Sequence, residues 1–106
     1  MAFYPLAWIN QEQLATDVER AKEKLRPEVV EVSYRLDTDS TGEPSIFFRV
    51  VLADWAATWE RIGDVTRKVR DTLFEETQPV DRLGLNPYVN FNSETEWRKS
   101  KERKAG

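Results

Sequence analysis

Apolar side chains recur at helical spacing from residue 14 onward. Leu14, Val18, Ala21 and Leu25 stand at i, i+4, i+7 and i+11, which puts them on one face of a helix. Asn10 followed by Gln13 is a capping-box pattern, in which each side chain can satisfy a free backbone N–H of the helix start. Ile9 and Leu14 stand where a hydrophobic staple would clamp that start, and Pro27 forces an end at or before Arg26. The period then changes to two. Val30, Val32, Tyr34 and Leu36 alternate with Glu31, Ser33 and Arg35, and Ile46, Phe48, Val50 and Leu52 alternate with Phe47, Arg49 and Val51. Between these runs, residues 37–44 (DTDSTGEP) are dense in turn formers, so the pair predicts an antiparallel hairpin with a long acidic loop.

Helical spacing returns with Trp55, Trp59, Ile62, Val65 or Thr66, Val69 and Leu73, over Asp54 to about Thr77. Gly63 interrupts the stripe and Asp64 could cap a fresh start, so the pattern allows one kinked helix or two short ones. Pro79 closes the region. Leu85 to Asn92 reads as a third strand, with Val89 and Phe91 on one face and Tyr88, Asn90 and Asn92 on the other. Ser93 with Glu96 is a second capping box, and it launches a basic C-terminal helix carrying Trp97.

The predicted order is α-β-β-α-β-α. A three-stranded sheet would lay Val30, Val32, Ile46, Phe48, Val50, Val89 and Phe91 against the two main helices, an α+β arrangement with helices on one face. No repeat or linker divides the chain, so residues 1–106 are expected to form a single domain, with 93–106 as a basic helix or tail. In element order alone the chain resembles type II KH-like domains and ribosome-binding factor A, which run α-β-β-α-α-β. It has no Gly-x-x-Gly clamp between helices, and Arg61-Ile62-Gly63-Asp64 is acidic where a phosphate clamp needs bases. The chain is not assigned to that family.

Composition narrows the chemistry. With no cysteine there is no disulfide, no thiolate zinc site and no cysteine nucleophile. With no histidine the usual acid/base of neutral pH and the Ser-His-Asp triad are gone. The net charge of −3 averages two unlike parts. Residues 97–106 hold five bases and one acid, which leaves eleven bases against eighteen acids for the rest. An acidic body repels nucleic acid and anionic membrane unless a local basic surface overrides it. No apolar run approaches the length of a membrane span, and the N-terminus is a poor signal peptide, so a cytoplasmic location is expected.

Three places could carry function. The loop Asp37-Thr38-Asp39-Ser40-Thr41-Gly42 resembles the first half of an EF-hand calcium loop, but its twelfth position is Phe48 rather than glutamate. A looser magnesium or calcium site on Asp37, Asp39 and Glu43 is an unfavoured alternative, as is the metal-dependent phosphodiesterase it would serve. The second place is the sheet face turned away from the main helices. Its cluster of Phe47, Val51 and Tyr88 needs a cover: the C-terminal helix with Trp97 on Phe47, a second copy of the chain, or single-stranded RNA. RNA would use Arg35 and Arg49 for charge, Asn90 and Asn92 for base edges, and the tail cations Arg98, Lys99, Lys101, Arg103 and Lys104 for phosphates. The third is the aromatic pair Trp55 and Trp59, expected as core or interface anchor. The N-terminal Phe3, Tyr4, Leu6 and Trp8 are expected to wrap over the core or an adjacent subunit. Together these predict a non-catalytic protein-interaction or regulatory module without cofactor. It is expected to self-associate or pair with a larger protein through Phe47, Val51, Tyr88, Trp55, Trp59 and Trp97, with RNA binding as the alternative.

Overall fold

The structure is a computed structural model that describes the backbone of residues 9–105 and the side chains of residues 9–101. The aromatic cluster Phe3, Tyr4, Leu6 and Trp8 and the tail cations Arg103 and Lys104 therefore lie outside the described side chains. Helix α1 runs from Gln11 to Lys24. Asn10 caps it as expected, its Oδ1 accepting the Gln13 N–H at 3.0 Å. The Gln13 side chain does not return the bond, and donates instead to Asp17 Oδ1 at 3.0 Å. Ile9 packs against the core to which Leu14 belongs, and the helix stops before Pro27.

Strands β1 (Val29–Thr38) and β2 (Pro44–Leu52) form the predicted antiparallel hairpin. Glu43 O accepts the Asp39 N–H at 2.9 Å to close its loop, and Gly42 takes the left-handed φ of 86° that the turn requires. One correction concerns the entry to β1. Val29 faces Leu52 and Glu31 faces Val51, so Val30 is an extra residue in a β-bulge. The bulge turns Val29 into the core and leaves Val30 38% exposed, where the alternation alone had placed Val30 inside.

The second helical region also differs from expectation. A single 3-10 turn, Asp54–Ala56, is followed by bends, and helix α2 begins only at Ile62 and runs to Thr77. The turn buries Ala53 and Ala56 and thereby rotates Trp55 and Trp59 outward, so neither tryptophan is core. Gly63 and Asp64 fall inside the first turn of α2, where neither breaks nor caps the helix. From there the stripe holds, with Val69 and Leu73 fully buried. At the far end Gln78 adopts a left-handed φ of 45°, its N–H reaching Phe74 O at 2.8 Å, and Pro79 follows.

Strand β3 (Asn86–Ser93) returns parallel to β2, a pairing that needs the long crossover α2 supplies. The mixed sheet has the order β1-β2-β3, and helix α3 (Glu94–Ala105) closes the α-β-β-α-β-α chain of an α+β fold. The core lies between one sheet face and the helices α1 and α2. It centres on Ile46, Phe48 and Val50 of the middle strand, packed with Leu14, Val18, Val69 and Leu73. Among the described residues no helix is long and apolar enough to cross a membrane.

Candidate functional site

The second sheet face is organised by strand register. Arg35, Phe47 and Tyr88 lie directly opposite one another across β1, β2 and β3. Their side chains stand in a row. The Arg35 guanidinium sits 4.7 Å from the Phe47 ring centre, and on the other side Tyr88 stacks on Phe47 at 5.1 Å with 13° between the ring planes. Both faces of Phe47 are therefore occupied from within the chain, which leaves it no free face for a base.

Carboxylates of the hairpin loop hold both ends of this row. Arg35 pairs with Asp37 Oδ2 at 3.1 Å, and the Tyr88 hydroxyl donates to Asp39 Oδ2 at 2.8 Å. Asp39 is saturated with donors. Its Oδ1 accepts from Thr41 Oγ1 at 2.6 Å, from Thr41 N at 2.9 Å and from Glu43 N at 3.0 Å. The Thr41 hydroxyl first, and the Tyr88 hydroxyl next, hold the Asp39 carboxyl far below the usual carboxylate range. The same bond raises the Tyr88 phenol, which would have to ionise beside a carboxylate. The Asp37 and Asp39 carboxylates thus order the loop by accepting N–H and O–H donors, whereas Glu43 takes part through its backbone. Among the described residues no three acidic side chains gather as a metal-ligand group.

The residues considered for RNA are divided between separate places. Arg35, Arg49 and Asn90 share a cleft of about 270 Å³ with Ser33 and Phe47. Asn92 lines a different one with Glu96, Lys99 and Ser100, where α3 leaves the sheet. Arg98 pairs with Glu94 at 3.3 Å, and the Lys101 ammonium lies 3.8 Å from the centre of the Trp97 ring. Trp97 is half-buried, and among the described aromatic rings it is Tyr88, not Trp97, that stacks on Phe47. Val51, offered as an interface residue, is only 1% exposed in the single chain and has no surface to give a partner.

The start of α3 is fixed twice. Ser93 and Glu96 make the full capping box, with Glu96 N donating to Ser93 Oγ at 3.2 Å and Ser93 N to Glu96 Oε1 at 3.1 Å. Asp54, from the 3-10 turn, adds a tertiary cap by accepting the Thr95 N–H at 3.1 Å and the Thr95 hydroxyl at 2.8 Å. The Thr95 N–H is the main cause that lowers the Asp54 carboxyl.

On the other side of that turn stands the tryptophan corner. Trp59 is 90% exposed and Trp55 46% exposed, and the Arg61 guanidinium lies 5.6 Å from a Trp55 ring. Trp55 lines a shallow cleft of about 250 Å³ with Glu28, Glu60, Arg61, Asp64, Val65 and Lys68, and Lys68 is paired to Glu28 at 2.9 Å. Sequence spacing found both tryptophans but assigned the pair to a helical stripe.

One arrangement escaped sequence reasoning altogether. The Asp17 carboxylate is 3% exposed and accepts from Gln13, from Arg20 at 3.2 Å and from Arg82 of the segment that follows α2. Arg20 continues to Glu76, which also pairs with Lys24 and has its carboxyl lowered chiefly by that lysine. The available signal was Asp17 standing one residue before Val18, next to the apolar stripe. It clasps α1 to the connection leading into β3. Comparison with protein-family models, with curated proteins and with solved structures gave no match to this chain.

Proposed function

We propose that the protein is a self-associating interaction module whose contact surface is the Trp55–Trp59 corner. The observation that carries this reading is the 90% exposure of Trp59, four residues after a half-exposed Trp55 that lines a shallow cleft together with Glu60, the residue following Trp59. A large indole in water is costly, and tryptophan is the residue type most enriched at the energetic centres of interfaces. The charges around it favour a second copy as the occupant. Glu28, Glu60 and Asp64 stand among Arg61 and Lys68, so a two-fold axis through the corner can set acids of one protomer against bases of the other. A partner of one charge sign would be met by a rim of the opposite sign, and this rim is mixed. The role as a binder rather than a catalyst rests on the absence of histidine and cysteine from the sequence.

Sedimentation equilibrium on the wild type and on Trp59→Ala tests the reading. The expected result is a wild-type dimer and a variant that dissociates while keeping the wild-type circular dichroism spectrum, with a melting temperature that no longer rises with protein concentration. Removing such an anchor should cost about 2 kcal/mol, roughly thirtyfold in Kd. A wild type that stays monomeric at every concentration would overturn self-association. A dimer broken by Phe47→Asp but untouched by Trp59→Ala would move the interface to the sheet.

A further inference from the structure

We propose that the cleft on the second sheet face is an anion site that takes a phosphate monoester group between the guanidiniums of Arg35 and Arg49. The sheet register supplies the geometry. Arg49, on the middle strand, lies directly opposite Ser33 on β1 and Asn90 on β3, and Arg35 follows Ser33 by two residues on the same face. Same-face diagonal neighbours on adjacent strands are about 7–8 Å apart, a spacing that long side chains bridge and that one tetrahedral oxyanion between them fits. All of these residues line the same cleft of about 270 Å³, a volume suited to a small group rather than a large ligand.

The cleft is rich in donors. Its lining residues Arg35, Arg49, Asn90 and Ser33 carry two guanidiniums, an amide and a hydroxyl between them, and an arginine fork matches phosphate oxygens in a bidentate manner. Arg35 is already held in place by the Phe47 ring and by Asp37, so ordering it for a ligand costs little. Arg49 is exposed, and among the described residues no carboxylate pairs with it. Asp37 pairs with Arg35 and offsets part of its charge, so the uncompensated charge of the cleft is that of Arg49; Asp39 is taken up by the loop and Tyr88, and Glu31 by Lys22 at 3.3 Å. Recognition ends at the phosphate. Because Phe47 is covered by Arg35 on one side and Tyr88 on the other, the ring at the centre of the row gives a nucleobase no face to stack on.

Amide chemical-shift titrations at constant ionic strength test the site, with inorganic phosphate, glycerol phosphate and adenosine monophosphate as separate probes. Saturable shifts centred on Arg49 and Asn90 are expected for all three. The nucleotide should bind no more tightly than glycerol phosphate, and a free anion and an esterified one are told apart by the first two probes. Arg49→Gln should weaken binding about tenfold, on the scale of one charge-assisted contact, and Asn90→Ala should weaken it less. Arg98→Gln, on the C-terminal helix, should leave it unchanged. Shifts that never saturate, or an equal loss in Arg98→Gln, would overturn the site. A nucleotide that binds far more tightly than glycerol phosphate and perturbs Phe47 and Tyr88 would overturn phosphate-only recognition and restore a base-binding face. Equal melting temperatures for the variants establish that the fold is kept.

Discussion

The hydroxyl of Tyr88 donates to the carboxylate of Asp39 at 2.8 Å, joining two residues 49 positions apart in the chain. This bond fastens the last strand to the loop of the first hairpin, and it makes that junction sensitive to pH at both ends of the scale. Asp39 is lowered in the folded state, so its contribution is fully present above the ordinary carboxylate pKa of about 4 and fades as the pH falls toward the depressed value. Tyr88 is raised, so its contribution is present below the ordinary phenol pKa of about 10 and is lost as the pH climbs through the higher folded value. Asp39→Asn should therefore lower the melting temperature most near neutral pH, with the gap to wild type closing in acid. Melting curves across the acid limb check this, and a gap that widens in acid would contradict it.

Asp17 offers a test in the opposite setting, a buried carboxylate whose cationic partners reach into water. In Asp17→Ala, Arg20 and Arg82 are about half-exposed and can be rehydrated, so the loss should be close to that of one or two charge-assisted hydrogen bonds, about 2–3 kcal/mol. Replacement by leucine should cost less, because the site can then be filled by apolar packing. Urea denaturation of both variants measures the difference.

The bulge at the start of β1 predicts that two neighbouring valines respond differently. Val29 is 3% exposed and Val30 38%. Val29→Ala should cost about 2 kcal/mol through the lost packing, whereas Val30→Thr should fall within about 0.5 kcal/mol of wild type. A reversed order in thermal melts would mean that the strand follows the simple alternation after all.

Ser93→Ala removes one half of the capping box on α3 and should cost about 1 kcal/mol. The loss should be local. Amide exchange should accelerate in the first turns of α3 and hardly at all in α1, and the Asp54 cap on Thr95 should keep the helix from unravelling completely.

The same contrast between near and distant signals explains how far the sequence could be read. Both N-caps, the hairpin, the stop at Pro79 and the α+β order rest on residues within a few positions of one another, and each stands in the structure. Val30 escapes the alternation because a bulge leaves period two intact on its far side and only shifts the phase at the entry. The tryptophans continue the helical spacing of α2, yet burial of Ala53 and Ala56 decides the path of the turn. The row of Arg35, Phe47 and Tyr88 depends on which strand lies in the middle and on β3 running parallel to β2. Neither fact is written in any one segment.

With β2 in the middle, β1 and β3 each leave an outer edge whose backbone donors and acceptors pair with no further strand among the described residues. Such edges are templates on which further strands can add, in this chain or in another, and unchecked addition leads to fibres. Each edge here carries a blunting device. The bulge at Val30 kinks β1 where it begins, and Pro87 sits in β3, a residue that sheets accept at their margins and reject in their middle. Both devices work against the addition of further strands, so copies meeting at Trp59, as proposed above, would associate without their sheets merging.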